Sequence, residues 1–147
     1  MSATNIFKQF NGSIANLVNT PAVSATLAIT ARLMASAIFI GAGISKLGAG
    51  YAGTQGYMAS VGVPAGMLPL VIALELGGGI ALLLGFQTRL VALLLAGFSI
   101  VAGLIFHSGA DQMQQIMLMK NFAMAGGLLA FTLFGAGRLS LDGETRA

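Results

Sequence analysis

The chain has 147 residues, enough for one domain, with 56% hydrophobic residues, only 7% charged residues and a formal net charge of +3. A soluble domain carries about 25% charged residues, so this chain could not cover a water-facing surface, and its mean hydropathy of +0.90 points to a membrane protein. The basic residues form no dense patch, which argues against nucleic acid as a partner, and no cysteine with a single histidine leaves no thiol chemistry and no autonomous zinc or haem site, so no metal is expected.

Residues 1–23 come first. Ile6, Phe7, Phe10, Ile14, Leu17 and Val18 recur at near-helical spacing, with Lys8, Gln9, Asn11 and Asn16 between them. That pattern fits an amphipathic helix lying on the membrane surface and ended by Pro21, with a frayed polar tail as the alternative. The segment lacks the compact apolar centre of a secretion signal, so the first long apolar run is expected to stay in the mature protein.

Apolar runs follow at residues 24–47, 66–85, 89–108 and 116–135, each near the roughly 20 residues that cross a bilayer as a helix. None alternates with period two, which disfavours a β-barrel, and helices are the other way to satisfy a backbone in lipid. The expected fold is all-α: an antiparallel four-helix transmembrane bundle over residues 24–138, with the possible interfacial helix before it and a short polar tail, residues 139–147, after it. The lipid bilayer is therefore the first expected partner.

A tight turn, "FQT", joins the second and third runs. A Gly-rich loop carrying Tyr51 and Tyr57 joins the first and second, and "GADQMQQ" joins the third and fourth. Both termini and the tight turn then share one side with Lys8, Arg89, Arg138 and Arg146. The positive-inside rule places that side in the cytoplasm of a bacterial inner membrane. Small residues spaced by four, Ala37, Gly41 and Ser45, then Gly77, Ala81 and Gly85, with Ala123 and Gly127 as a shorter example, predict close helix crossings. The same stripes could serve a homo-oligomer.

Glu75 interrupts "PLVIALELGGGIALLLGF", where an unpaired charge costs about 2.5–3.5 kcal/mol or more. Arg32, in the first run, lies at a matching depth when both are counted inward from the same membrane face at 1.5 Å per residue. An Arg32–Glu75 ion pair is the expectation, as a register-fixing staple or as part of a polar site. Near the opposite face Lys46, His107, Lys120 and Asn121 gather under the loops of Tyr51 and Tyr57. Arg32, Phe39, Gly43 and Lys46 fall on one helical face, so a polar seam would link the two charged levels. The ordinary alternatives are lysines snorkelling to lipid phosphates and a histidine satisfied by backbone.

Three stretches, "ARLMASAIFIGAGISKLG", "YMASVGVPAGMLPLVIALELGGGIALLLGFQTRLVALLLA" and "MKNFAMAGGLLAFTLFGAGRLSLD", resemble the DoxX family of small four-helix membrane proteins. The carriers are Arg32, Gly43 to Leu47, Gly62 to Pro64, Glu75 to Gly78, Gly85 to Arg89, His107, Lys120 with Asn121, and Gly135 to Asp142. The resemblance implies an accessory membrane subunit supporting quinone-linked redox chemistry performed by a partner protein. Related proteins include a membrane subunit of a thiosulfate:quinone oxidoreductase. Some relatives carry thiol pairs, which this chain lacks, so a thiol mechanism does not carry over. Under this expectation Lys46 and His107 hydrogen-bond a quinone head group, with Lys120, Asn121, Tyr51 or Tyr57 beside it. A small-solute or proton transporter using the seam, and a membrane anchor or assembly factor, are the competing readings.

Overall fold

A computed structural model describes residues 2–143. Arg146, counted above among the terminal-side charges, lies outside the described residues, as does the end of the predicted tail. Six helices account for the described chain once the second span is taken as one element. Helix α1 is Ala3–Val18 and α2 is Pro21–Ser45. Thr20 and Pro21 start α2 rather than merely stopping α1, since proline at the first helical position forgoes an N–H that has no intrahelical acceptor. The apolar residues of α1, Phe7 and Phe10 among them, form an exposed face.

Helix α3, Gly50–Ser60, occupies what the sequence predicts as a loop. Two interior glycines, Gly53 and Gly56, disfavour a helix there. Tertiary contacts hold it instead: Met58 is buried and the Tyr57 ring lies 5.4 Å from that of Phe106. Helix α4 spans Ala65–Leu84, α5 is Thr88–Phe106 and α6 is Gln112–Phe134. Together with α2 they are the four helices, among the described residues, long and apolar enough to cross a membrane. The Asp111 side chain caps α6 by accepting from the Gln114 N–H, which sets its start four residues ahead of the predicted run. Helix α4 is not uniform. It opens with a 3₁₀ turn at Ala65–Met67, is α-helical at Leu68–Ile72, widens into a π-helical turn at Ala73–Gly77 and returns to α at Gly78–Leu84.

Helix α2 packs along α4, and α5 along α6. The two pairs meet through Phe39, Leu82, Leu95, Ala96 and Leu128, all nearly inaccessible. The α2–α4 crossing is close, but the glycines that make it are not those of the predicted stripes. A Cβ on Gly43 would stand 2.8 Å from Leu76 Cβ, and one on Gly79 would stand 2.9 Å from Ile40 Cγ1. Ala37, Gly41 and Ser45 are exposed, and Gly77 and Gly127 have open space beside them. A spacing of four names a face without saying which face is buried, and the buried one is the face of Arg32, Phe39 and Gly43.

At the terminal end the segment after α6 folds back onto the bundle. Leu141 N–H donates to Leu84 O at 3.1 Å and Asp142 N–H to Gly85 O at 2.8 Å. The Asp142 carboxylate accepts from the N–H groups of Gln87 and Thr88 at 2.7 and 2.8 Å. It thereby caps α5, where both the free N–H groups and the helix dipole favour a negative charge. Gly85 makes the turn possible, with φ of 67° ending α4.

Candidate functional site

Glu75 is buried, 6% exposed, and its partner is Lys46. Lys46 Nζ lies 3.1 Å from Oε1 and 2.7 Å from Oε2. It also donates to Ala42 O at 3.2 Å. Arg32 points elsewhere: its guanidinium donates to Leu139 O at 2.7 Å, Leu83 O at 3.2 Å and Ala28 O at 3.4 Å, and feels the charge of Asp142. The predicted Arg32–Glu75 pair is therefore not formed.

The reason lies in helix geometry. Every Cα–Cβ bond tilts toward its helix N-terminus, and long side chains lie over the preceding turn. Arg32 and Lys46 both reach back to the carbonyl four residues earlier. For Arg32 that direction leads out toward the terminal end. For Lys46 it leads inward. Helix α4 runs antiparallel to α2, so Glu75 tilts toward the α3 end, away from Arg32 and toward Lys46. Equal Cα depth brought the wrong pair together because both heads diverge from it.

The predicted polar seam is interrupted for the same reason. Between the Arg32 and Lys46 levels the interior is closed by Phe39 of α2, Leu82 of α4 and Leu95 of α5. The two charged levels are separate sites.

Above that apolar layer lies a cavity of about 440 Å³, walled by α2, α3, α4, α5 and α6. Lys46, Glu75, Tyr57, His107, Lys120 and Asn121 line it, and the rest of the wall is largely aliphatic and aromatic. The structure thus brings together five of the six residues expected at the head-group site and adds Glu75. Tyr51, the sixth, does not line the cavity. Two further polar residues, Thr54 and Ser99, line it without having been expected. Ser99 gives no sequence signal, since its hydroxyl is satisfied within its own helix by Leu95 O at 2.8 Å. Glu75 stands in the π-turn, a rare device that recurs at functional sites.

The remaining polar groups have defined roles. His107 Nδ1 is 2.9 Å from Gln114 Oε1, so the neutral ring carries its proton on Nδ1 and keeps Nε2 as an acceptor. Asn121 is 8% exposed and donates to Met117 O at 2.9 Å. Lys120 is exposed and contacts Met117 Sδ at 3.2 Å, with no carboxylate beside it among the described residues. One ammonium is balanced by Glu75 and another is not, so the cavity wall carries net positive charge.

Fold and site together define a small multi-span membrane protein with an ionisable cavity in one half of its bundle. The DoxX family model matches residues 27–108, and the chain belongs to the DoxX family. It is 48% identical over 115 residues to "Inner membrane protein YqjF" of Escherichia coli (strain K12), covering 78% of this chain and 88% of that protein. It is 36% identical over 124 residues to "Inner membrane protein YphA" of the same organism, covering 79% and 88%. No solved structure matches the chain.

Proposed function

We propose that this protein is an accessory membrane subunit of a quinone-linked redox system, in the bacterial inner membrane with both termini cytoplasmic, and that its cavity receives the quinone head. The observation that carries the reading is the cavity of about 440 Å³, within the 300–1,000 Å³ typical of small-molecule sites, apolar with a few convergent polar groups. Lys46 uses N–H donors on Ala42 and Glu75 and has a third for a carbonyl oxygen. Lys120 offers an ammonium to an oxygen bearing negative charge. His107, its Nδ1 proton directed at Gln114, presents Nε2 as an acceptor, suited to a hydroxyl of the reduced head rather than to a quinone carbonyl.

Bound there, a quinone would supply a two-electron, two-proton acceptor. The residues of this chain would hold its oxygens and exclude water. With no cysteine and one histidine in the chain, the electrons come from a partner protein. The transport alternative loses its motive with the interrupted seam.

Photoreactive azidoquinone applied to the protein in nanodiscs tests this. Labelling should be saturable, competed by unmodified quinone and mapped to the cavity walls. It should weaken about tenfold in Lys46→Ala, the loss of roughly one hydrogen bond from a charged donor. Labelling that is not competed, or is unaffected by Lys46→Ala, would overturn the proposal and favour an anchor or assembly role.

A further inference from the structure

The cavity is asymmetric in its surroundings, and the asymmetry gives a direction of approach. Helices α4 and α5 leave their short turn in contact, with Gly78 against Leu95. Toward the α3 end they part: Leu68–Ile72 packs on α2 and α3 rather than on α5. The edge of α4 that continues from Gly78 at helical spacing carries Leu74, Leu70 and Met67. The facing edge of α5 carries Phe98, Val101 and Ile105. All six line the cavity, and four are strongly exposed, Leu70 at 66%, Val101 at 54%, Met67 at 45% and Ile105 at 41%. A gap whose exposed rim, Met67, Leu70, Val101 and Ile105, is aliphatic and thioether, at membrane depth, opens onto acyl chains. Helix α3 lies over the end of the cavity, with Met58 buried beneath it and Tyr57 on Phe106.

The α2 and α6 walls carry the cations. Lys120 and Met124 line the cavity from α6, while Asn121 and Leu118 of the same helix pack on Gly103 of α5. Lys46 lines it from the end of α2, its ammonium on Glu75.

We infer that the cavity is loaded sideways from the bilayer through the α4–α5 gap. Its ligand is a membrane-dissolved amphiphile whose head accepts hydrogen bonds or carries negative charge, seated at Lys46 and Lys120, with its apolar tail trailing out between Leu70 and Val101. This rests on reading the cavity as a binding site and extends it by fixing the route and the orientation of the occupant.

The chain contains no tryptophan, so a single introduced tryptophan reports on one place. Phe98→Trp, and separately Phe106→Trp in case the first does not fold, are reconstituted in vesicles of brominated phosphatidylcholine. The lipid-facing Leu94→Trp serves as reference. The cavity tryptophan should be quenched nearly as strongly as the reference, and Val101→Phe with Leu70→Phe should remove most of that quenching while leaving the reference unchanged. Absence of quenching in both cavity variants, or quenching indifferent to the narrowed gap, overturns lateral loading. Either result is separate from azidoquinone labelling: uncompeted labelling with intact bromolipid quenching would remove the quinone and keep the lateral opening.

Discussion

Arg32 and Lys46 share one face of α2, yet they serve opposite ends of the bundle because each follows the same backward tilt of its side chain. Their fates show what was legible at the level of single residues. That Glu75 needs a cation was readable from its apolar surroundings. Which cation was not, because the choice rests on side-chain direction and a π-turn rather than on depth. Asp142 shows the reverse case, a residue near the end of the chain whose role only the folded turn reveals. Burial pushes its carboxyl pKa up, but the donors of Thr88 and Gln87 and the charge of Arg32 outweigh this and hold it below the ordinary aspartate value. A carboxylate depressed in the folded state stabilises it above the unfolded pKa and loses that contribution as pH falls through the folded value. Acidification below about pH 4 should therefore release residues 139–143 from the 84–88 turn. Amide exchange of those two segments should accelerate in acid in the parent. In Asp142→Asn it should be fast at neutral pH already, with little further change on acidification.

Among elements, the spans were legible because about 20 apolar residues have few other readings, and α1 because its spacing is amphipathic. Helix α3 was not, since its glycines favour a loop and its helix depends on Met58 and Tyr57 finding partners distant in sequence. The glycine contacts were half legible: spacing predicted close helix crossings, but the glycines that make the α2–α4 contact, Gly43 and Gly79, lie outside the predicted stripes. The correction can be tested. Gly43→Val and Gly79→Val should each destabilise the bundle by about 1–3 kcal/mol, the usual penalty of overpacking a close contact. Gly41→Ala and Gly77→Ala, which meet nothing within 4 Å, should be neutral or stabilise by up to about 1 kcal/mol through reduced backbone entropy in the unfolded chain. Thermal midpoints of the four variants in one detergent check this. Equal losses in all four would mean that the crossing does not depend on Gly43 and Gly79.

As a whole, the molecule divides across its apolar layer into two halves with different work. The terminal half is closed, with Arg32 tying α2 to Leu83 and Leu139 and Asp142 capping α5. The other half is open, with α4 and α5 apart, α3 as a roof and the Lys46–Glu75 pair set into an apolar wall. Membership of the DoxX family and the four-span bundle were readable from motif order and hydropathy. The division was not, because it depends on which way two cations point. Charge reversal measures it most directly. Lys46→Glu and Glu75→Lys should each cost about 3–5 kcal/mol, as expected when one member of a buried pair is lost. The double variant carrying both changes should recover much of that stability. A double variant with Arg32→Glu and Glu75→Arg should recover none, having broken two separate sites. Recovery in the Arg32–Glu75 exchange, without recovery in the Lys46–Glu75 exchange, would contradict the two-site account.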